Sequence, residues 1–201
     1  LLVDGSSYLF RAYHALPDLS NGAGFPTGAV RGVIAMLRKL AKDFEGSPIA
    51  VVFDAKGKTF RHEMYKDYKA NRPPMPEDLV KQIEPINQIV EALGIKLLSI
   101  KGVEADDVIA TIARRVVRAG GAVTVVSTDK SFCQLLKFGV QVYDHFSDVE
   151  HDHNWVSERF GVDPGQLVDL FALAGDSSLG IPGVRSVGIH TAVKLLHDYG
   201  D

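Results

Sequence analysis

Seven acidic residues stand where short apolar runs or helical patterns begin or end. Asp4, Asp54 and Asp129 each fall just past an apolar run, Glu104, Asp106 and Asp107 lie within four positions at the start of a helical pattern, and Asp176 follows a glycine. In an open parallel sheet the carboxyl ends of the strands share one edge, where α/β sites form. Acids delivered to that edge would converge, and carboxylates at close range cannot all stay ionised unless a cation holds them. An all-oxygen donor set suits Mg²⁺ or Mn²⁺. Residues on a helix are about 100° apart, so Asp106 and Asp107 face different directions while Glu104 and Asp107 share a face. That arrangement suits two cations about 3.5–4 Å apart, a spacing that clamps both oxygens in phosphoryl transfer. The plain alternative for 104–107 is that acids at a helix start complement its dipole.

A second group of residues is cationic. Between Lys56 and Arg72 lie six Lys or Arg (Lys56, Lys58, Arg61, Lys66, Lys69, Arg72) against only Glu63 and Asp67. The overall charge of −3 therefore hides a segregated basic segment, and such a segment beside acids that hold metal fits a phosphate-backbone substrate. Tyr68, Lys69 and Arg72 suit stacking and phosphate contact with single-stranded nucleic acid. A solvated charged face is the plain reading of the same run. Further on, Gly183-Val184-Arg185-Ser186-Val187-Gly188 lies between helical patterns. Its glycines would let a backbone approach phosphate, with the N–H groups of the next helix receiving it. Contacts of that kind position duplex without reading bases; a simple inter-helix turn is the alternative.

The elements that must position these groups alternate. Strands are predicted at Leu1–Val3, Ile49–Phe53, Lys96–Ile100, Val123–Val126 and Val140–Tyr143, and helices at Ser6–Ala15, Val30–Phe44, Glu77–Leu93 and Ala105–Ala119. A short helix follows Asp129. Alternation of this kind predicts an α/β fold with a mainly parallel sheet flanked by helices. Residues 56–76 are basic, aromatic and poor in aliphatics. Their closing Arg72-Pro73-Pro74-Met75-Pro76 excludes a regular helix there, so the stretch reads as a mobile substrate-handling element. Pro85 is a candidate kink. From Trp155 onward the pattern is helix and turn only, with helices at Pro164–Ala174 and Ile189–Tyr199. The division that results is a core of residues 1–154 and a helical region of 155–201.

Composition narrows the function classes. The 201 residues are 46% hydrophobic and 23% charged, enough for one real core. No apolar run approaches the roughly 18 residues of a membrane span and no signal pattern opens the chain. Leu1 already lies in an apolar strand, so residues before it are expected. The single cysteine, Cys133, allows no internal disulfide and reads as a core thiol, consistent with a reducing cytoplasm. His145, His151 and His153 occupy an acidic stretch without a partner cluster, which argues against zinc. Gly175-Asp176-Ser177-Ser178 lacks the spacing of a nucleophile elbow.

Four segments together resemble the 5′-nuclease domain of bacterial DNA polymerase I: the opening Leu2-Val3-Asp4-Gly5-Ser6-Ser7-Tyr8-Leu9-Phe10-Arg11, then Val52-Phe53-Asp54-Ala55-Lys56-Gly57-Lys58-Thr59-Phe60-Arg61, Tyr68-Lys69-Ala70-Asn71-Arg72-Pro73-Pro74-Met75-Pro76 and Gly102-Val103-Glu104-Ala105-Asp106-Asp107. The resemblance covers essentially the whole chain. It implies a PIN-like core, a helical arch at 56–76, a C-terminal helix–hairpin–helix element and two Mg²⁺ sites. By position, Asp4, Asp54, Glu104 and Asp106 would hold the first metal, with Asp107, Asp129 and Asp176 at the second or between the two. Lys69 and Arg72 would steer the scissile phosphate, with Arg61 and Tyr68 also on DNA. The hairpin 183–188 would bind duplex, its carbonyls also holding K⁺.

Two departures stand out. The family carries acids where this chain has Ser131 and Leu179, losses that resemble the stand-alone exonuclease IX branch and should weaken a second cation. His190 replaces the family lysine after the hairpin. The resemblance implies a bacterial, cytoplasmic, monomeric, metal-dependent 5′-nuclease acting on DNA flaps or 5′ ends. The competing expectation is a flap or duplex DNA-binding protein with little catalysis. A PIN-type ribonuclease is disfavoured by the hairpin, and a haloacid-type phosphatase is excluded because Asp4-Gly5-Ser6 lacks the second aspartate of that family.

Overall fold

The computed structural model describes residues 1–200. The chain starts with β1 (Leu2–Asp4), α1 (Gly5–Ala15), α2 (Gly28–Asp43) and β2 (Ala50–Val52), followed by α3 (Phe60–Met64), α4 (Glu77–Ala92), β3 (Lys96–Leu98), α5 (Ala105–Arg118) and β4 (Thr124–Val126). A 3₁₀ segment at Lys130–Phe138 leads into β5 (Gln141–Asp144), β6 (Val149–Glu150) and α6 (His153–Phe160). After a 3₁₀ turn at Pro164–Gln166 come α7 (Leu167–Ala174), β7 (Gly175–Asp176), β8 (Ile181–Pro182) and α8 (Ile189–Tyr199).

The main sheet runs β3-β2-β1-β4-β5-β6. All neighbours pair in parallel except the short β6, which is antiparallel to β5. The predicted mainly parallel α/β sheet is therefore present. Strand order reverses direction at β1, so the crevice between the carboxyl ends of β1 and β4 is the topological switch point where α/β ligands bind.

Strand residues are apolar on both faces because helices cover both. Val3, Val51, Phe53 and Val126 point to a cluster with Leu37, Leu40, Leu79, Ile86 and Val90 from α2 and α4. Their neighbours Leu2, Val52 and Val125 point the other way, onto Val108 and Ile109 of α5. Each such buried aliphatic contributes roughly 1.5–3 kcal/mol of transfer free energy. Cys133 lies in the second cluster as a core thiol, its pKa pushed up to about 11 by burial. Val156, Leu167, Leu170, Ala192 and Leu196 belong to that same cluster, so the helices after residue 154 share their core with the sheet. Among the described residues no helix is long and apolar enough to cross a membrane.

Residues 56–76 contain one short helix, α3, capped by a reciprocal Thr59–His62 pair, and the prolines beyond it, up to Pro76, carry no helix before α4 begins at Glu77. Pro85, the candidate kink, lies inside α4. One expectation needs correction. The region after Trp155 includes an antiparallel pair, Gly175↔Pro182 and Asp176↔Ile181, too short to leave a β pattern in the sequence.

That pair depends on two glycines. Gly175 has φ 76° and ψ 178°, a region that side-chain-bearing residues avoid. A Cβ on it would lie 2.3 Å from the Gly183 nitrogen, and one on Gly183 would lie 2.3 Å from the Ala174 carbonyl carbon. Gly183, read from sequence as an approach point for phosphate, is thus required first by backbone packing. Gly175→Ala is expected to lower unfolding free energy by about 1–3 kcal/mol. Gly22→Ala, at an exposed site with nothing within 4 Å, should stay within about 0.5 kcal/mol. Chemical denaturation of both variants measures the contrast.

A carboxylate cavity faced by cations

The strand ends deliver their acids to one cavity of about 770 Å³, lined by Asp4, Asp54, Glu104, Asp106, Asp107, Asp129 and Asp176 together with Arg61, Tyr68, Lys69 and Arg72. Asp4 ends β1 and caps α1, its Oδ1 accepting the Ser7 N–H at 2.9 Å. Its Oδ2 accepts the Ser127 hydroxyl at 2.7 Å. Asp54, two residues beyond β2, accepts the Ser6 hydroxyl at 2.7 Å and the Ala105 N–H at 2.8 Å. Asp129 caps the 3₁₀ segment through the Ser131 N–H at 2.8 Å. Asp176 accepts from the Ser178 N–H and hydroxyl at 2.8 and 2.6 Å.

The acids at the start of α5 divide by direction. Asp107 accepts the Glu104 N–H at 3.1 Å, forming a capping box with Glu104. It is also clamped by both Arg61 guanidinium nitrogens, at 2.5 and 2.7 Å. This fork-on-fork pair holds the Asp107 carboxyl below its ordinary pKa. Glu104 is buried and takes the Lys69 ammonium on Oε1 at 2.7 Å and the Tyr68 hydroxyl on Oε2 at 2.9 Å. Asp106 receives no such help. Burial first, then repulsion from Asp4, Asp129, Asp54 and Glu104, pushes its pKa up to about 7. Asp4 is pushed up to about 6, again by burial first, against the lowering effect of the Ser127 and Ser7 hydrogen bonds.

The donor set is what a hard divalent cation prefers, and burial above all, with repulsion between the acids added to it, raises the pKa values of Asp4 and Asp106. The coordination shell itself is not assembled. Among the described residues no three His, Cys, Asp or Glu side chains are gathered so as to hold one ion. Two of the expected ligands are turned aside, Glu104 to Lys69 and Tyr68, and Asp107 to Arg61. Ser131 and Leu179, where the resemblance leads one to expect acids, line the same cavity.

The arch residues are corrected by the same contacts. Tyr68, expected as a stacking surface, is only 4% exposed with its hydroxyl on Glu104. Lys69 has φ 56°, a left-handed conformation disfavoured for a side chain of this size, and donates its backbone N–H to the Leu179 carbonyl at 2.7 Å. Asn71 donates to the Ser177 carbonyl at 2.9 Å, and Arg72 reaches the Ser178 carbonyl at 3.4 Å. The arch is therefore seated on the 177–180 turn.

The hairpin lies apart from the cavity. Val184, Arg185, Ser186 and Gly188 are exposed, Ser186 is left-handed at φ 65°, and Gly188 caps α8 with open space around it. Val187 packs against the sheet-side cluster.

The sequence reading missed the hydroxyls of Ser6, Ser7, Ser127 and Thr128, which surround the acids and link to one another (Ser7 Oγ to Thr128 Oγ1, 3.0 Å). The available signal was the pairing of Ser6-Ser7 after Asp4 and of Ser127-Thr128 before Asp129. His145 and His151 are buried structural residues, one bonded to the Tyr8 hydroxyl at 2.7 Å and the other stacked on Trp155.

Comparison with known proteins agrees with this geometry. Residues 1–161 match the family model described as 5′-3′ exonuclease, N-terminal resolvase-like domain, and the chain belongs to that family. It is 50% identical over 200 residues to DNA polymerase I of Pseudomonas aeruginosa, covering 100% of this chain but 22% of that one. It is 41% identical over 199 residues to a 5′-3′ exonuclease of Aquifex aeolicus, covering 99% of this chain and 69% of that one. The flap endonuclease of bacteriophage T5, solved with DNA and metal ions, aligns at TM-score 0.80 and 26% identity over 100% of this chain and 75% of that one.

A raised carboxyl pKa binds its proton more tightly folded than unfolded, so it lowers stability as pH rises between 3.8 and about 7. Buried His145 and His151, whose pKa values burial lowers, act in the opposite sense below their ordinary value. The clean measure is therefore a difference. In chelator, Asp106→Asn is expected to melt higher than the parent chain by a margin that grows from pH 5 to pH 8; a margin independent of pH would refute the assignment.

Proposed function

We propose that this chain is a structure-specific 5′-nuclease that hydrolyses DNA phosphodiester bonds at 5′ flaps or 5′ ends with the help of Mg²⁺ or Mn²⁺. The observation that carries this is the meeting of acids from five separate chain segments in one cavity at the strand switch point, with Lys69, Arg61 and Arg72 lining it too. Support also comes from the named activity of relatives such as the Aquifex exonuclease and from the T5 enzyme, whose structure contains DNA and metal. The chain spans 22% of the length of the polymerase relative.

Asp4, Asp54, Glu104 and Asp106 would hold the first cation, and Asp107, Asp129 and Asp176 the weaker second position. The bound cation supplies Lewis-acid stabilisation and an ionised water nucleophile at neutral pH. The chain's own residues do the rest. Glu104 and Asp107 would hold a cation only with Lys69 and Arg61 moved off them, and those two positive groups would then be free to meet phosphate. Lys69 and Arg72 then offset charge that develops on the phosphate oxygens. Arg61, once off Asp107, would guide the strand through the arch, while Tyr68 stays buried against Glu104. The hairpin from Gly183 through Val184, Arg185, Ser186 and Val187 to Gly188 would position duplex through backbone N–H groups, and its carbonyls would be the groups to hold K⁺. The chain acts as a monomer on its DNA.

Asp106→Ala is expected to abolish cleavage of a labelled 5′ flap in Mg²⁺ and in Mn²⁺ while leaving flap binding measurable. Unchanged cleavage would remove the catalytic assignment. Lys69→Ala should slow cleavage by about 10²–10³-fold, the cost of losing one charge-stabilising donor. A second reading, a flap-binding protein with little turnover, draws on Ser131 and Leu179 standing in the cavity in place of acids. Binding without cleavage in both metals would select it.

A further inference from the structure

We infer that Ser127 is a positioning residue for the metal site, holding Asp4 and Asp129 in register across the gap between β1 and β4. This rests on the divalent-cation reading of the acid cavity.

Ser127 is the first residue beyond β4 and is 1% exposed. Its backbone is fixed from the other side, because its N–H donates to the Tyr143 carbonyl at 3.1 Å. Its hydroxyl oxygen accepts the Asp129 N–H at 3.0 Å, and its hydroxyl proton goes to Asp4 Oδ2 at 2.7 Å. The direction of the chain follows from chemistry. An amide nitrogen can only donate, so the hydroxyl accepts from Asp129 and donates to Asp4. One buried side chain thus connects an acid on β1 with the turn that carries an acid after β4.

The paired register of these strands ends at Leu2↔Val125 and Val3↔Val126. Asp4 itself lies past that pairing, and so do Thr128 and Asp129. Without the Ser127 hydroxyl the Asp4 carboxylate would keep only the Ser7 N–H and could rotate about its Cα–Cβ and Cβ–Cγ bonds. A carboxylate has about four lone-pair positions. Two are occupied by Ser7 and Ser127, and the remaining two are directed by those contacts. The Ser127 hydroxyl therefore decides which way Asp4 presents its free lone pairs, and the Asp129 N–H ties that orientation to the second acid. Groups that orient metal ligands in this way typically change metal affinity by 10–100-fold when removed.

Ser6 makes a related contact with Asp54 but is only half-buried and reaches one acid. Ser127 alone among these hydroxyls contacts two chain segments that each contribute an acid.

The test is calorimetric titration of Mn²⁺ into the full chain, without DNA or turnover. Ser127→Ala is expected to weaken Mn²⁺ binding by roughly 10–100-fold, and Ser127→Cys, whose larger thiol fills the site but donates weakly, to fall on the same side. Ser127→Thr retains the hydroxyl and is expected to restore the parent affinity. Near-UV circular dichroism at the titration temperature verifies that each variant is folded, and the Cys and Thr pair carries the test if the Ala variant is not. Asp4→Ala provides the reference for loss of a ligand. Parent-like Mn²⁺ affinity in Ser127→Ala or Ser127→Cys, alongside loss in Asp4→Ala, overturns the role of Ser127. Equal weakening in Thr and Cys variants also overturns it, because packing rather than the hydroxyl would then be responsible. Parent-like affinity in Asp4→Ala removes the cation reading itself, and this inference with it.

Discussion

The burial of several carboxylates in one crevice, with their mutual repulsion added to it, constrains everything else in this molecule. A parallel sheet with its strand order reversing at β1 sends acids to one crevice whatever their individual tasks, and each added negative charge makes the next harder to ionise. The chain answers with three kinds of partner: cationic side chains on Glu104 and Asp107, hydroxyls on Asp4 and Asp54, and backbone N–H groups at the starts of α1 and α5. Asp106 is left with none, and it is the acid whose proton is held most tightly. The arch conformation follows from the same imbalance. Arg61, Tyr68 and Lys69 face inward because the acids draw them there.

This explains why residues that look like ligands in one dimension can be engaged by the protein's own cations instead. Glu104 and Asp107 share a helix face as the helical repeat predicts, yet both are turned toward the arch, where a guanidinium and an ammonium meet them at hydrogen-bond distance. Exchange of those protein cations for a divalent ion would alter the arch and the acid cluster together. Chemistry at the strand ends and access to them are thus coupled by charge.

Much of this was legible in the sequence. Apolar runs such as Val51-Val52-Phe53 mark strands buried on both faces, and the helical periodicity of 30–44 and 105–119 fixes the layers that cover them. The acids at strand ends follow from those two facts. The remaining features are of another physical kind. The β7–β8 pair is two residues long on each side and depends on close backbone approach at Gly175 and Gly183, which no hydropathy pattern records. Tyr68 looked like a surface aromatic because its neighbours are charged, whereas a buried acceptor, Glu104, draws it inside. Ser6 and Ser127 are ordinary residues by type; only their distances to Asp54 and Asp4 distinguish them.

The seam between the arch and the 177–180 turn is made with main-chain oxygens. Lys69, Asn71 and Arg72 address the carbonyls of Leu179, Ser177 and Ser178, and none of these contacts reads the side chain at position 179. An exchange of residue type there would leave the seam's acceptors in place, so the charge at position 179 could change without undoing the docking of the arch. Gly180 has no such latitude: a Cβ at that position would press to 2.7 Å from the Asp67 carbonyl oxygen.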